Sequence, residues 1–381
     1  MLQFQRLLLP SRWLLVMVLS IGVLTLPGCG GRGRRQPEAV DGLQQIENAL
    51  SFNNITLEQA TESGDIIWKI FAEQAVYADE QGYAGVKNPD GELYRDGEAI
   101  YQVKSKLGEV YEDGNRIILR DAVEITDLRN NAVLQGDFME WKPDEGVLLL
   151  RGNLRGTHPQ LLVTAQEGRL FDEEQRLDLT GRVVANTVGN PRLNLRTEAL
   201  SWLIEGQRVT SDRPTQLRRF QQGQVTDLAV GKQAEVNLET SLATLKEEAQ
   251  LAMSEQGMQV NGTEIFWEIP QERVRSNQPL SIIQPRQRVV VTANQGVMNL
   301  QTRIVDLQGS VRLVAQLNGA VLMSDRLNWN IDTQDLRADG NVNYQQANPP
   351  LISTGPRAVG RLQNQTMVMM GGRITSELIP E

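Results

Sequence analysis

Apolar and polar residues alternate along most of the chain, beginning at about Asn53. In residues 177–185 the odd-numbered positions are apolar or small, whereas Asp178, Thr180 and Arg182 lie between them. A period of two residues is typical of β-strands that bury one face. The pattern predicts an all-β protein. Residues 242–253 are also compatible with a short helix, but they keep the period of a strand.

The alternating segments form a repeat. Each has a central position, and successive central positions are 29 to 32 residues apart or a multiple of that spacing. The central positions are Asp121, Gly152, Gly181, Gly309, Gly340 and Gly372. A second strand precedes each of them, and four of these strands end in tryptophan, at Trp141, Trp202, Trp267 and Trp329. Each unit is therefore predicted to be a β-hairpin, and the hairpins are expected to stack because none can bury its apolar face alone.

Stacked hairpins of this kind enclose a thin aliphatic interior. The low aromatic content of 5% is consistent with such an interior. The central glycines are predicted to face inward, where they favour a bend or bulge or leave room for an acyl chain. We interpret the tryptophans as core packing rather than as a ligand platform. The residues predicted to line a lipid-binding interior are Trp68, Leu119, Val123, Leu150, Leu179, Gly181, Val183, Leu307, Gly309 and Val311.

The two ends of the stack are predicted to expose strand edges with unpaired backbone groups. The first strand is expected at residues 66–72 and the last at residues 366–374, and both are long and apolar for free edges. Such edges favour strand addition by partner proteins. The residues predicted to meet partners are Ile66, Ile67 and Trp68 at the first edge and Met367, Met369 and Met370 at the last. Alternatively, residues 36–52 or 376–381 fold back and cover an edge.

The N-terminus has the features of an export signal. Arg6 and Arg12 precede an apolar run over residues 13–26, which is short for a membrane-spanning helix. The next residues, Pro27-Gly28-Cys29, resemble a bacterial lipobox with an unusual proline. Cys29 is the predicted lipid anchor, and the alternative is an uncleaved signal anchor with an unmodified cysteine. The predicted organisation is a signal peptide at 1–28, a lipid-anchored flexible tether at 29–52, a first β half at 53–215, a second β half continuous with it at 216–375, and a tail at 376–381.

Composition excludes several functions. The net charge is −9, and the first 35 residues carry five arginines and no acid, so the remaining body is strongly acidic and unsuited to nucleic acid. The chain has one cysteine and one histidine, His158, which falls in a predicted turn. These counts exclude a disulfide framework and most metal chemistry. We expect no catalytic residues, no metal site and no cofactor.

Three segments of the body resemble a known family. They are residues 62–77, which contain the pattern Trp68-Lys-Ile-Phe-Ala72, residues 134–141, and residues 176–183. They are similar to the repeats of the LptC/OstA-like family, which belongs to the lipopolysaccharide export machinery. This resemblance implies an elongated twisted β-jellyroll with two facing sheets. The body is about twice the length of a compact domain of that family.

The resemblance implies a non-catalytic lipid conduit in the periplasm, anchored to a membrane, with the inner membrane favoured. Lipopolysaccharide or a related envelope lipid would enter the interior by its acyl chains. An inner-membrane transporter complex would meet the N-terminal edge, and another OstA-like jellyroll protein would meet the C-terminal edge. The alternative is a structural adaptor lipoprotein with a filled β-solenoid core that scaffolds envelope proteins.

Overall fold

The computed structural model describes residues 50–77, 82–348, 350–364 and 366–378. These residues belong to one compact unit, Ile46–Glu381. The described part of the chain is almost entirely antiparallel β-structure, with a 3-10 helix at Pro143–Glu145 in one turn. No helix among the described residues is long and apolar enough to cross a membrane.

Twenty-eight strands follow one another in the part of the chain that the structure describes. The first fourteen are β1 (Leu50–Ala60), β2 (Ile66–Tyr77), β3 (Tyr83–Lys87), β4 (Asp90–Arg95), β5 (Glu98–Lys104), β6 (Leu107–Tyr111), β7 (Ile117–Asp127), β8 (Val133–Lys142), β9 (Val147–Thr157), β10 (Leu161–Phe171), β11 (Arg176–Thr187), β12 (Arg192–Leu203), β13 (Arg208–Ser211) and β14 (Thr215–Gln221). The others are β15 (Gln224–Gly231), β16 (Gln233–Asn237), β17 (Leu242–Met253), β18 (Met258–Glu268), β19 (Arg273–Ser276), β20 (Leu280–Gln284), β21 (Val289–Ala293), β22 (Gln295–Asn299), β23 (Ile304–Ala315), β24 (Ala320–Asn330), β25 (Asp335–Gln346), β26 (Leu351–Arg361), β27 (Thr366–Met370) and β28 (Thr375–Leu378).

The strands form two facing layers, as expected for a β-jellyroll. Short strands show the division: β12 pairs with β13 through its C-terminal half and with β14 through its N-terminal half. The tryptophan layer contains β3, β6, β13, β16, β19, β22 and β27, together with the halves of the long strands that pair with them. The second layer contains β4, β5, β14, β15, β20, β21 and β28, together with the other halves. Each long strand thus contributes to both layers.

The long strands cross between the layers at a line of β-bulges. Register shifts occur at the middle of β7, β11, β23 and β25, where the pairing skips two residues. The skipped residues have left-handed backbones, as at Gly181 (φ 81°) and Arg182 (φ 48°). Two consecutive residues with positive φ bend a strand sharply. We call this line of bulges the corner of the fold.

The structure corrects the predicted direction of the central glycines. A Cβ added to Gly181 would meet the side chain of Gln166, and one added to Gly309 would meet that of Asn294. Both neighbouring side chains are exposed on the outer surface. The predictions that Gly181 and Gly309 line the interior are therefore wrong. At each bulge two residues are left out of the pairing, and they interrupt the alternation of inward and outward side chains. The bend or bulge also expected at these glycines is confirmed.

The interior between the layers is one continuous apolar core. It runs from Trp68 on β2 to Ala358 on β26, and its members are nearly all aliphatic. Inward residues alternate with exposed ones along each half-strand, as in β17, whose strand conformation is confirmed. Full burial of a leucine or isoleucine side chain contributes roughly 1.5–3 kcal/mol relative to exposure. The core therefore holds together layers that share few backbone contacts outside the corner.

The N-terminal edge differs from the prediction. The segment with Ile66, Ile67 and Trp68 is part of β2, and β1 pairs along its whole length. On the other side, β2 pairs with β3 and β4. The prediction that these three residues form a free edge is therefore wrong. Among the described residues, no strand pairs with the outer side of β1, so β1 is the edge.

The C-terminal edge consists of two short strands. β27 and β28 both pair with β26, one in each layer, and Gly371 (φ 74°) and Gly372 (φ 66°) separate them. The predicted single strand over residues 366–374 therefore ends at Met370. No described strand pairs with the outer side of β27, which carries the predicted edge residues Met367, Met369 and Met370.

Candidate functional site: the interior and its seam

The apolar space between the layers is the main candidate for a functional site. Eight of the predicted lining residues are buried in it, and the two glycines are not. The eight are Trp68 (3% exposed), Leu119 (0%), Val123 (1%), Leu150 (0%), Leu179 (0%), Val183 (1%), Leu307 (2%) and Val311 (2%). An apolar lining of this kind suits hydrocarbon chains and disfavours charged ligands.

Side chains fill much of this space. A cavity of about 30 Å³ lies among Tyr101, Val163, Trp202 and their neighbours. A second cavity of about 30 Å³ lies near the C-terminal end, among Leu322, Tyr344 and other residues. Neither volume holds more than a water-sized group, whereas an acyl chain is far larger. The layers must move apart before these regions can accept a lipid chain.

The layers meet again opposite the corner, where the hairpin turns of one layer face those of the other. We call this line of facing turns the seam. Its contacts are made by side chains rather than by a strand ladder. Leu170 and Val163, from opposite halves of β10, line the same interior cavity, which places the two ends of one strand on facing layers. Opening the seam therefore breaks side-chain contacts and leaves backbone pairing intact.

A buried polar cluster closes the seam in the first part of the body. Asp172, in a turn of the tryptophan layer, is 4% exposed. Its Oδ1 accepts hydrogen bonds from Tyr101 Oη (2.5 Å) and Arg129 Nη2 (2.9 Å), both in the second layer. Arg95, in the same layer, forms an ion pair with Asp172. Burial raises the pKa of Tyr101 to about 12, with smaller opposing effects of Arg129, so its hydroxyl remains a donor.

Other side chains join the layers further along the seam. The rings of His158 and Trp202 meet edge to face, with 4.9 Å between their centroids. Gln160 Nε2 donates to Gln207 Oε1 at 2.8 Å. Near the C-terminal part, Arg303 Nη2 lies 2.9 Å from Glu255 Oε1. Burial lowers the pKa of His158, which favours its neutral form, and Asp127 opposes this weakly.

The seam is open near the middle of the described chain. A cleft of about 780 Å³ lies there between turns of the two layers. One wall contains residues 190–192 and 220–223 of the second layer, and the other contains Glu239, Ser241 and residues 269–272 of the tryptophan layer. Most of the side chains that line the cleft are polar or charged. It falls where the sequence repeat is interrupted by the short strands β13 to β16.

A buried ion pair lies beside this cleft. Arg219 Nε contacts Asp227 Oδ2 at 2.5 Å, and their side chains are 7% and 1% exposed. The guanidinium carbon of Arg219 lies 5.4 Å from the ring centroid of Trp267, across the interior. Arg219 also lines the cleft. The pair therefore brings charge to the boundary between the open cleft and the apolar interior without leaving either partner uncompensated.

The tryptophans form a regular row along the seam side of the tryptophan layer. Trp202, Trp267 and Trp329 are each the penultimate residue of a long strand. All three are nearly fully buried, at 3%, 0% and 0% exposed. Their indole Nε1 atoms have no hydrogen-bond partner among the described residues. By contrast, Trp68 Nε1 donates to the backbone oxygen of Gly114 at 3.1 Å.

Metal and acid–base chemistry depend on clusters of His, Cys, Asp and Glu side chains. No group of at least three His, Cys, Asp or Glu side chains in residues 50–77, 82–348, 350–364 and 366–378 has a metal-binding arrangement. His158 lies in a turn and contacts Trp202 and the backbone nitrogen of Gln160. Cys29, the predicted lipid anchor, lies outside the described residues.

Several functional features could not be found from the sequence. The Asp172 cluster joins residues up to 71 positions apart, and nothing in a repeat pattern indicates which turns face each other. One feature of the sequence indicated the cleft, namely the interruption of the repeat around residues 210–253. The tryptophan row was visible as a sequence feature, but the unpartnered nitrogens were not.

Comparison with known proteins identifies one family. A family model described as "LptC: Lipopolysaccharide-assembly, LptC-related" matches residues 14–147, 150–252 and 278–373. Among solved structures, the fold is similar to the crystal structure of LptH, the LptA homologous periplasmic component of the conserved lipopolysaccharide transport device from Pseudomonas aeruginosa. That match has 12% identity and a TM-score of 0.29, and it covers 31% of this chain and 84% of LptH. No curated protein matches the chain.

Proposed function

Because the chain belongs to the LptC-related family of lipopolysaccharide-assembly proteins, we propose that it carries lipopolysaccharide through the periplasm without catalysis. The acyl chains lie in the interior between the two layers, and the sugar part remains outside the seam. One observation carries this proposal: the apolar core continues unbroken from β2 to β26. A continuous aliphatic interior offers an amphiphile the same environment at every step along the body.

Loading requires the layers to part at the seam. The corner acts as the hinge, since bulges join the two halves of each long strand there. The seam itself is held by separate side-chain contacts, which range from the buried Tyr101–Asp172 cluster to single hydrogen bonds such as Gln160–Gln207. The open cleft beside Arg219 is where acyl chains first reach the interior. Acyl chains then enter between the layers. The apolar contacts between facing side chains are replaced by apolar contacts between side chains and acyl chains.

The location and partners follow from the same proposal. The body lies in the periplasm and is tied to a membrane, preferably the inner membrane, through acylated Cys29. The edge strand β1 meets an inner-membrane transporter complex, because it is the first described strand after Cys29. β27 meets a second OstA-like jellyroll. In both cases the exposed backbone of an edge strand supports pairing with a partner strand.

A structural adaptor is a second candidate, and the packed interior favours it. The two enclosed cavities are about 30 Å³ each, and residues such as Leu119, Leu150 and Leu179 are fully buried. An adaptor needs a filled core and uses its edges alone. The two candidates therefore differ in whether lipid ever contacts the inward side chains.

Site-specific photo-crosslinking in cells separates the two candidates. Val163 is 3% exposed and lines an interior cavity, whereas its neighbour Leu162 on β10 is 43% exposed on the outer face. A diazirine amino acid at position 163 is expected to crosslink lipopolysaccharide, and the same group at 162 is the matched control. Labelling at 163 well above that at 162 supports the conduit. Equal labelling, or none at 163 in a folded protein, supports the adaptor.

A further inference from the structure

The buried indole nitrogens of Trp202, Trp267 and Trp329 are unusual because buried hydrogen-bond donors in proteins are nearly always paired. Each N–H lies in an apolar region without an acceptor among the described residues. Packing alone does not require tryptophan there, since phenylalanine would fill apolar space without burying a polar atom. The chain contains seven phenylalanines and six tryptophans, so both residue types are in use.

The three residues occupy equivalent places in the fold. Along the tryptophan layer, Trp202 on β12 is four strands from Trp267 on β18, through β13, β16 and β17. Trp267 is again four strands from Trp329 on β24, through β19, β22 and β23. With neighbouring strands about 4.8 Å apart, one indole donor recurs every ~19 Å.

The residues directly opposite the three indoles on the adjacent strands are also alike. Directly opposite Trp202 are Leu177 and Val209 on the adjacent strands. Trp267 has Ala243 and Val274 in those places, and Trp329 has Val305 and Leu336. Neighbours of this kind supply no acceptor. A donor that recurs between aliphatic cross-strand neighbours indicates a common role.

The position of the row restricts the ligand group that can reach it. Each tryptophan is one residue from the end of its strand, where the layer approaches the seam. Tryptophan favours such boundaries between apolar and polar surroundings, with its N–H directed to an acceptor. The indole N–H only donates, so its partner must be an acceptor. A charged phosphate would not enter this apolar site unpaired.

We propose that these three indole N–H groups hydrogen-bond the carbonyl oxygens of the ester and amide linkages by which acyl chains are attached to the cargo. These carbonyls are neutral acceptors, and they lie at the boundary between the acyl chains and the polar headgroup. This inference rests on the proposed transport of lipopolysaccharide. It adds three binding positions spaced along the seam, which we call stations. At each station a linkage carbonyl accepts a hydrogen bond from an indole N–H that has no partner among the described residues.

Indole NMR of the full-length protein labelled with 15N-tryptophan tests the stations directly. Addition of lipopolysaccharide is expected to move the indole proton signals of Trp202, Trp267 and Trp329 downfield, as hydrogen bonds form. Trp68 is the internal control, because its N–H already donates to Gly114 and should show no downfield shift from a new hydrogen bond. Hexadecane, which has no acceptor, is the ligand control and should cause no downfield shift.

Substitution gives a second measurement. Trp202→Phe, Trp267→Phe and Trp329→Phe are each expected to weaken lipopolysaccharide binding about threefold to tenfold, the value of one net hydrogen bond. Leu162→Ala, on the outer face of β10, is the matched control and is expected to leave the affinity unchanged. Binding is measured by competition against fluorescent lipopolysaccharide.

The outcomes distinguish the two proposals. If wild-type protein does not bind lipopolysaccharide, the proposed function fails and the stations fail with it. If lipopolysaccharide binds and crosslinks at position 163, but the three indole signals do not move, the carbonyl stations are wrong and the conduit stands. The NMR measurement on wild-type protein decides this even if a substituted variant does not fold.

Discussion

At Gly181 the backbone has φ 81°, and the next residue, Arg182, has φ 48°. Glycine adopts this conformation readily, whereas other residues do so at a cost of roughly 1–2 kcal/mol. Asp121 (φ 61°) and Ala122 (φ 53°) nevertheless form the equivalent bend in β7 without glycine. The bend is therefore imposed by the pairing on both sides of the corner, and glycine lowers its cost where it occurs.

Substitution of Gly181 tests this account. Gly181→Ala is expected to lower the free energy of unfolding by about 1–2 kcal/mol, because a Cβ is strained at φ 81° and would also press on the Gln166 side chain. Denaturant unfolding measures the change. The matched control is Gly206→Ala, in a turn where φ is not left-handed and the nearest atom, Leu203 Cβ, lies 3.6 Å away. Lipid crosslinking from position 163 should be unchanged, and its loss in a folded Gly181→Ala protein would contradict the outward assignment.

The glycines also show which side-chain directions can be predicted from the alternation of apolar and polar residues. Leu179 and Val183 are buried, as alternation predicts, because they lie in regular parts of the ladder. Gly181 lies between them at the same parity and yet faces outward, because the bend occupies two residues, Gly181 and Arg182, that take no part in the alternation. A period of two residues cannot reveal an insertion that leaves the parity of the flanking residues unchanged. The glycine in the repeat indicated a bulge, but the sequence did not indicate which way that residue faces.

At the scale of elements, strand β1 is the clearest difference from expectation. Its side chains are mostly exposed, since it has a neighbour on one side and contributes little to the core. Alternation is weak in such a strand, so the sequence indicated β2 as the first edge. By contrast, β17 is buried on one face and keeps its alternation despite Lys246, Glu247 and Glu248, which made a helix conceivable. Burial on one face is what makes an element predictable.

The seam leads to a prediction about the two layers. Gln160 and Gln207 face each other across it, with 2.8 Å between Nε2 and Oε1. Cysteines at both positions, joined by a cleavable bis-maleimide, are expected to lock the layers and reduce lipopolysaccharide crosslinking at position 163 several-fold. Cleavage of the crosslinker should restore the signal. The physical reason is that lipid chains need space that the closed interior does not provide.

A matched pair within one layer controls for the chemistry. Gln295 and Gln308 lie on the adjacent strands β22 and β23 of the tryptophan layer and share a hydrogen bond of 3.1 Å. Crosslinked cysteines at these positions restrain no movement between layers and should leave lipid labelling unchanged. Single-cysteine variants account for reaction at Cys29. Unchanged labelling in the locked Gln160–Gln207 protein would show that the seam does not open for lipid.

For the whole molecule, we expect the two terminal strands to determine how it meets partners. β1 and β27 each pair on one side, and their outer backbone groups have no partner strand among the described residues. Exposed apolar side chains flank them, including Phe52 (43% exposed) on β1 and Val368 (57%) on β27. Natural proteins protect long apolar edges because such edges otherwise promote aggregation. A partner strand at each end satisfies the backbone and covers these side chains at the same time.

Photo-crosslinking at the two ends tests this arrangement. A crosslinker at Val368 is expected to capture a second jellyroll protein, and one at Phe52 a subunit of the inner-membrane transporter, because the proposed acylation of Cys29 would tie the N-terminal end to the membrane. Leu317 is the matched control: it is 59% exposed, as apolar as Val368, but lies in the turn between β23 and β24 rather than on an edge. Specific products at positions 368 and 52, and none at 317, would support strand addition at both ends. Products confined to the chain itself would show that the edges are covered internally, and exchange of the two partners would reverse the direction in which the body is connected.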